Sequence, residues 1–559
     1  MLIEVGVYGN DGSGDPASNR RYSSPTYSNY NFSTRPSLYV ELDSAYAIGG
    51  TEYYTLESAL NHASDGDTIT VLRDVKDLTT VEIDKNVTLD LQTYTLTRDT
   101  TITINSGVTA TITGSTGSKL TTGTTDLNTI TNEGTLTIDG DVTIEHNGSN
   151  QSFYAMNNST AGAILNIKSG TITSSSYCAI YNNNSNAVTN IGDSTETIST
   201  THPLISGGTY GVVNNSGKWT YNNGTIQGTT SSFYDGDVET NGGLEDGVRT
   251  DYIIVTGESG SYKTAHLEKM TDVTTPWLPA GASYTNTDLN TGVTMKDSYD
   301  NEWTWVVVPK TVTASATLIG VNDDPTGSNL ETVLMNYAAT VVTDRGSSYT
   351  DTWVSEAQSG FTSDEYTSKK RNMLNGIKTN GGFWIGKYEM GYLDTPTSSN
   401  YDSTSRTAVV QKDAYPYNYI NLPNSAQKTE QLAMQAGGDG SMLFGTQWDL
   451  TLGYLVNRGG VSKRSATYNS TNWGNYSNKE LTVTASTTKS GWPMGWTSSY
   501  NWATYTGTKS SGTPKLLSTG AVEDVTNKLN IVDLAGNLWE WTMEAYNTSY
   551  RDYRGRLLR

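Results

Sequence analysis

A glutamate framed by two tryptophans is the most suggestive chemistry in the chain. It lies near the C-terminal end, in Ile531-Val532-Asp533-Leu534-Ala535-Gly536-Asn537-Leu538-Trp539-Glu540-Trp541-Thr542. A catalytic reading would need a nucleophile or a set of metal ligands nearby in the sequence, and none accompanies it. The run therefore reads as a structural corner. Gly536-Asn537 supplies a turn with positive φ at little steric cost. Trp539 and Trp541 are expected to be buried, with indole N–H groups that need partners. Elsewhere the candidates are thinner. Cys178 is the one cysteine, so no internal disulfide can form, and it reads as a buried thiol. The four histidines (His62, His146, His202, His266) have no metal-ligand spacing. Asp11, Ser13 and Asp15 mimic the start of a calcium loop, but the glycine and distal glutamate of such a loop are missing. Asp139, Asp141, Glu145 and His146 are close in sequence with no arginine among them, and would matter only if they met in a groove. No metal site and no cofactor is expected.

The elements that must carry these residues are mostly short. Glycine is abundant (55), proline scarce (13), and tyrosine (36) far outnumbers phenylalanine (6) in 559 residues, the composition of a multidomain chain built from brief strands and many turns. A net charge of −21 argues against a nucleic-acid partner. No apolar run is long enough to span a membrane, and Met1 leads into polar, glycine-rich text without a signal-peptide pattern.

Residues 41–240 repeat one theme. Leu56, Ala59 and Leu60 give a short helix an apolar face, with Thr55 as its N-cap. Then come Thr68–Leu72, Val87–Leu91, Tyr94–Thr97, Thr101–Ile104, Ala110–Thr113, Thr135–Ile138, Val142–Ile144, Ile164–Ile167, Thr171–Thr173 and Gly224–Ile226, most alternating apolar residues with threonine. Alternation is the half-buried strand pattern, and one such strand cannot bury its apolar side alone. Stacked rungs can, so a right-handed parallel β-helix is expected, with a β-sandwich as the alternative. Asn182–Asn186 fits rung corners or an asparagine ladder. Asp251–Val255 reads as a last strand within a linker region, 241–271.

From residue 272 the text changes to more tryptophan and more helix signals. Asn301–Pro309 contains Glu302-Trp303-Thr304-Trp305-Val306-Val307-Val308, and Gly382–Met390 reads Gly-Phe-Trp-Ile-Gly-Lys-Tyr-Glu-Met. In the second run, alternation sets Phe383 and Ile385 on one face and Trp384 on the other. Ser425–Ala436 is expected to be a helix stopped by Gly437-Gly438. Phe444–Leu450 opens another, with Thr446 and Asp449 as a cap pair and Trp448, Leu452 and Leu455 facing inward. Trp473, Trp492 and Trp496 anchor loops.

Together with the Asp533–Thr542 run, these stretches resemble the formylglycine-generating-enzyme-like (sulfatase-modifying factor) domain, a version of the C-type lectin fold. That family carries a D-[ML]-A-G-N-[VL]-W-E-W-T run, a W/F-V-W-V-P strand, an F-x-I-G-K-Y-E-V strand and an L-P-T-E-A-E-W-E helix start. The resemblance implies a fold class of mainly β plus α+β: a β-helix-like region, then a C-type-lectin-like domain over 272–559. Trp448, Gly536, Asn537, Trp539, Glu540 and Trp541 take structural roles in it. It also implies no enzyme. The family's oxidases use a pair of cysteines near the C-terminal end and its iron enzymes use clustered histidines, and neither is present here.

Residues 1–40 resemble the last part of the same domain, an A-x-x-R, a proline and a G-F-R before a final strand, with Ala17, Arg20, Pro25 and Arg35 in those places and Ser33-Thr34 replacing Gly-Phe. The text between is rich in Asn, Asp, Ser, Gly, Tyr and Arg, which are reached when asparagine codons are randomised at adenine. Variable proteins of diversity-generating retroelements carry such a region. These residue types also make adaptable binding surfaces. Tyr8, Asn10, Asp11, Asp15, Arg21, Tyr22, Tyr27 and Tyr30, with Asn547, Tyr550, Asp552 and Tyr553 from the other end, are therefore the candidate ligand-binding residues. The two ends read as pieces of one domain, either permuted or mis-joined, or as the remnant of a preceding copy in a tandem fibre. The expected function is non-catalytic binding of a protein or carbohydrate receptor on a cell surface. The expected place is outside the cell, on a phage tail fibre or a bacterial surface, as a homotrimer if the chain builds a fibre. A polysaccharide-depolymerising β-helix and a purely structural adhesin stalk are the alternatives.

Overall fold

The computed structural model describes residues 4–7, 32–35, 43–123, 126–235, 247–318, 329–340, 350–396, 406–497, 501–547 and 550–554. Glu4–Val7 and Phe32–Arg35 pair antiparallel in a sheet of their own. As pieces of one domain the two ends would bring Ser37–Val40 onto the strands near Trp305 or Tyr388, but those four residues lie outside the described residues.

The threonine-alternating runs form three sheets, in each of which the neighbours are every third strand of the chain. The pairings from rung to rung are parallel and in register, which makes the region β-helix-like and excludes the sandwich. The alternation explains the stacking. In one sheet Ile69, Leu89, Ile112, Ile138, Ile167, Ile191 and Tyr221 pair rung upon rung, and none is more than 1% exposed. A second stack runs Leu96, Leu120, Ile144, Ile172, Ile205 and Ile226. The intervening threonines face outward, where β-branched residues suit a half-wet sheet. Asparagines turn one corner. Asn132 donates to Asn158 Oδ1 (2.8 Å) and to the Ile164 carbonyl (3.0 Å), and Asn158 donates to the Val188 carbonyl (2.9 Å). Asn182 and Asn214 continue the row. Thus the expected ladder exists, and Asn182 is the one residue of the Asn182–Asn186 run in it.

The first rung is covered by the helix Leu56–His62, whose cap is Thr55 as expected. Beneath it Asp77 accepts hydrogen bonds from the Tyr46 hydroxyl (2.9 Å) and the Leu56 N–H (2.8 Å), and Arg98 lies 3.7 Å away, both charges being almost fully buried. At the far end, Tyr252–Ser259 and Tyr262–Lys269 form a hairpin that adds antiparallel to Thr225–Gly228. Its alternation serves two cores. Ile254, Ala265 and Leu267 close the solenoid, while Ile253, Val255, Met270 and Val273 enter the next core. The stretch expected as a linker is thus packed on both faces.

A mixed α/β region follows. Ser283–Asn286, Thr294–Lys296, Glu302–Val307 and Gly382–Gly386 make an antiparallel sheet. Phe383 and Ile385 are buried, and Trp384 is half-buried on the other side. The helices Asn329–Ala339, Ser363–Asn380, Leu422–Gln435 and Gly445–Asn457 surround it. Two starts differ from expectation. Leu422–Gln435 begins three residues early, because Asn421 caps it through the Asn424 N–H and Pro423 tolerates the first turn. Gly445–Asn457 is not capped by Thr446 with Asp449. The Asp351 carboxylate reaches in from a distant loop and takes the N–H groups of Gly445 (2.7 Å) and Thr446 (2.9 Å). Trp448, Leu452 and Leu455 do face inward.

Candidate functional site

The Asp533–Thr542 run builds a turn and then one strand of a hairpin. Gly536 and Asn537 both have positive φ (82° and 57°). Asn537 is buried, and its side chain donates to Glu389 Oε2 (2.5 Å) and to the Leu517 carbonyl (3.2 Å) while its Oδ1 accepts from the Leu517 N–H (3.1 Å) and Asn475 Nδ2 (3.0 Å). The turn is therefore locked before Glu540–Ala545 sets out to pair antiparallel with Arg551–Arg554. The base of this hairpin is ionic: Arg554 grips Glu544 through Nε (3.0 Å) and Nη2 (2.6 Å) and lies 3.6 Å from Asp449 and 3.0 Å from Asp552.

The rings of the hairpin point outward. Tyr553 meets Trp539 edge to face (4.8 Å between centroids) and Trp541 (5.6 Å). Trp541 is half-buried and donates to the Ile420 carbonyl (3.0 Å), as a structural indole should. Trp539 is 40% exposed, so the expectation that it is buried fails. Trp539 stands just before the strand, and its ring meets Tyr553, the cross-strand partner of Trp541, rather than a covering layer of described residues. Among the described candidate binding residues, Tyr550 (66% exposed) and Tyr553 (47% exposed) present exposed rings. Asn547 instead folds the turn by accepting from the Tyr550 N–H (3.0 Å), and Asp552 balances Arg554. Tyr8, Asn10, Asp11, Asp15, Arg21, Tyr22, Tyr27 and Tyr30 lie outside the described residues, so the meeting of the two ends in one surface is not described.

Behind the hairpin lies a cavity of about 470 Å³. Trp539, Glu540 and Trp541 form one wall, Trp384 to Met390 another, with Trp277, Trp303 and Trp448 completing the aromatic lining. Trp277 is 48% exposed, so it and Trp539 mark the mouth. Three carboxyl groups sit in this lining, Glu389, Glu540 and Asp439, of which Asp439 is paired with Lys369. Glu389 is buried and accepts from Asn537 and from the Leu538 N–H (3.2 Å). Burial, and then the charges of Asp533 and Glu540, hold its pKa well above the carboxylate range. Burial and then Asp533 push Glu540 up to about 8. Asp533 itself is raised to about 6 by burial, although the Gly520 N–H (2.7 Å) and the Thr526 hydroxyl (2.8 Å) donate to it. The lysine in the lining, Lys369, is engaged by Glu430 (2.7 Å) and Asp439 (3.1 Å).

Glu389 and Asp533 were not singled out from the sequence. The available signal was a single acid inside an apolar run, Tyr388-Glu389-Met390 and Val532-Asp533-Leu534. The solenoid carboxylates do not converge. Lys119 pairs with Glu145 (3.0 Å), Lys168 with Asp139 (3.5 Å), and Thr116 donates to Asp141, while His146 is buried inside beside Ser174. Cys178 is buried and burial raises its pKa. Among the described residues no group of His, Cys, Asp and Glu is placed to hold a metal ion, and no helix is long and apolar enough to cross a membrane. Comparisons with protein-family models, with curated proteins and with solved structures found no match to the chain.

Proposed function

We propose that the chain is a non-catalytic binding protein in which the β-helix-like region is a stalk and the α/β region is a C-type-lectin-like, formylglycine-generating-enzyme-like head. It would be displayed on a phage tail fibre or a bacterial surface and take a protein or carbohydrate receptor. The observation that carries this reading is the hairpin: exposed Tyr550, Tyr553 and Trp539 rings stand on a base fixed by Arg554, Glu544 and Asp449. Rigid aromatic rings on a preorganised base give contact area at low entropic cost. The lectin-like assignment is supported by the run of motifs in their order: the Trp305 strand pairs with the Phe383 strand, and the Trp448 helix packs into the same core. The two-faced Tyr252–Lys269 hairpin supports the stalk, since it joins the regions without a slack linker.

The test is binding of the labelled full chain to a panel of bacterial cells and surface glycans. Replacing Tyr550 and Tyr553 together by alanine should weaken binding at least about tenfold with unchanged circular dichroism. Retained binding by that variant, or cleavage of a polysaccharide by the wild-type chain, overturns the reading. The variable-protein component is tested in the flanking DNA. It requires a reverse transcriptase and a template repeat matching the codons of residues 5–35 or 543–555.

A further inference from the structure

We propose that the cavity behind the Trp539–Trp541 strand is a binding site for a small organic cation, an alkyl or quaternary ammonium group held between tryptophan faces and balanced by Glu389 and Glu540. The inference rests on reading the α/β region as a binding module, and it adds a ligand class and a second, enclosed site to that reading.

Three observations converge. The first is shape and lining: about 470 Å³ suits a small ligand, and indole rings from separate parts of the chain, Trp277, Trp303, Trp384 and Trp539, contribute to one enclosure. Aromatic faces carry negative quadrupole charge and attract ammonium groups, the more so when water is excluded.

The second is uncompensated charge. Among the described residues neither Glu389 nor Glu540 has a lysine, arginine or histidine within ion-pair distance. The nearby cations are engaged elsewhere: Lys387 with Glu302 (3.1 Å), Lys369 with Glu430 and Asp439, Lys412 with Glu523 (2.6 Å). Without a cation beside them both acids hold their protons, so a ligand that brings positive charge gains by favouring their ionised forms and pairing with them.

The third is the polarity of what remains. Asn537 Nδ2 and the Leu538 N–H already point at Glu389, which fixes that carboxyl group against the cavity wall. Glu540 accepts no hydrogen bond from a described residue, which leaves its oxygens for the ligand. A neutral sugar could stack on the same rings, but it would bring no positive charge to the two acids.

The experiment titrates choline and tetramethylammonium into the full chain, followed by tryptophan fluorescence and calorimetry. The control ligand is 3,3-dimethylbutan-1-ol, which has choline's shape without its charge. Choline is expected to bind in the micromolar to low-millimolar range and the neutral analogue at least about tenfold more weakly. Glu540→Gln removes the charge at constant shape and should cost choline about tenfold while leaving the analogue unchanged. Trp539→Leu, which keeps an apolar side chain at the mouth, should weaken both cations without altering the fold.

Equal affinity for choline and its neutral analogue overturns the proposal. So does the absence of binding at about 10 mM of either cation, or choline affinity unmoved by both substitutions. The two readings fail separately. Cell binding that depends on Tyr550 and Tyr553 with no cation binding sinks this inference alone. Choline binding without any cell or glycan binding sinks the receptor-binding reading alone.

Discussion

The β-helix-like region and the α/β region bury polar groups in different ways. In the β-helix-like region buried polar groups lean on the rungs beside them: Asp77 has Arg98, Tyr46 and the Leu56 N–H, and the asparagine row turns a corner by donating to strand carbonyls, although the Oδ1 atoms of Asn132 and Asn182 find no hydrogen-bond partner among the described residues. In the head Glu389, Asp533 and Glu540 crowd together, and burial and mutual repulsion hold their protons. A repeat that passes its hydrogen bonds from rung to rung stabilises each rung through its neighbours. Acids kept without cations around a cavity cost stability, and such cost is expected where a site must receive something.

The comparison breaks first at Arg98. Arg98→Met leaves Asp77 buried without its cation and should destabilise the stalk by about 3–5 kcal/mol, read from urea unfolding. A loss below about 1 kcal/mol would mean that the hydrogen bonds from Tyr46, Leu56 and Thr79 suffice for Asp77 and that the pairing is incidental.

The pH dependence sharpens the contrast because the two regions carry opposite signs. Asp77 is held below its ordinary value of 3.8; burial opposes this, but the hydrogen bonds from Leu56, Thr79 and Tyr46 prevail. Its contribution is present above that value and is lost as pH falls through the depressed folded value. Glu540 is raised from 4.5 to about 8. The folded state then holds more protons than the unfolded one between those values, so this group's contribution is present below 4.5 and is lost as pH rises towards about 8. Asp533, faced by Glu523 and Lys412, acts with the same sign between 3.8 and about 6. Glu540→Gln should therefore flatten the decline of the melting temperature between pH 5 and 8 and stabilise the head at pH 9 by about 1–2 kcal/mol after solvent screening. A decline as steep in the variant as in the wild type would remove Glu540 from the account.

Much of the stalk was legible because its signal is local. Threonine alternation sets each strand's inner face, so the inward pointing of Ile69, Leu89 and Ile112 follows from period two alone. Which strands pair is a long-range fact, but a solenoid repeats it, so one rung teaches the next. The head gave up its strands and helices for the same local reason, and failed where the partner is distant. The cap of Gly445–Asn457 is Asp351, 95 residues from Thr446 in sequence, and no spacing rule reaches that far. Trp539 was expected to be buried because indoles bring large apolar area; its ring instead meets Tyr553 edge to face and stays 40% exposed, a contact set by the pairing with Arg551–Arg554. The acids of the cavity come from separate stretches, and no local spacing shows that Glu389 and Glu540 meet in one lining.

Asp351 offers a smaller test of that same long-range wiring. Asp351→Ala removes the acceptor of two helix N–H groups and of the Thr446 hydroxyl, and should cost about 1–2 kcal/mol. The loss should appear in the head's tryptophan signal before the far-ultraviolet signal of the stalk. Simultaneous loss of both would show that the shared Tyr252–Lys269 hairpin fuses the two regions into one cooperative unit.

Tyr550 should show the least of all. It is 66% exposed, its ring has no described packing partner, and its backbone makes the turn through Asn547. Tyr550→Ala should therefore change stability by no more than about 0.5 kcal/mol, measured by thermal melting. That near-silence is informative because of what sits beside it. Tyr553 shares its ring contacts with Trp539 and Trp541, so Tyr553→Ala should cost more, about 1 kcal/mol, through lost edge-to-face packing. If Tyr550→Ala proves as costly as Tyr553→Ala, the ring is structural and the hairpin loses its claim as a displayed surface. If Tyr550→Ala is silent in melting and weakens receptor binding, then the exposed ring is kept for contact, which is the difference between a head and a stalk.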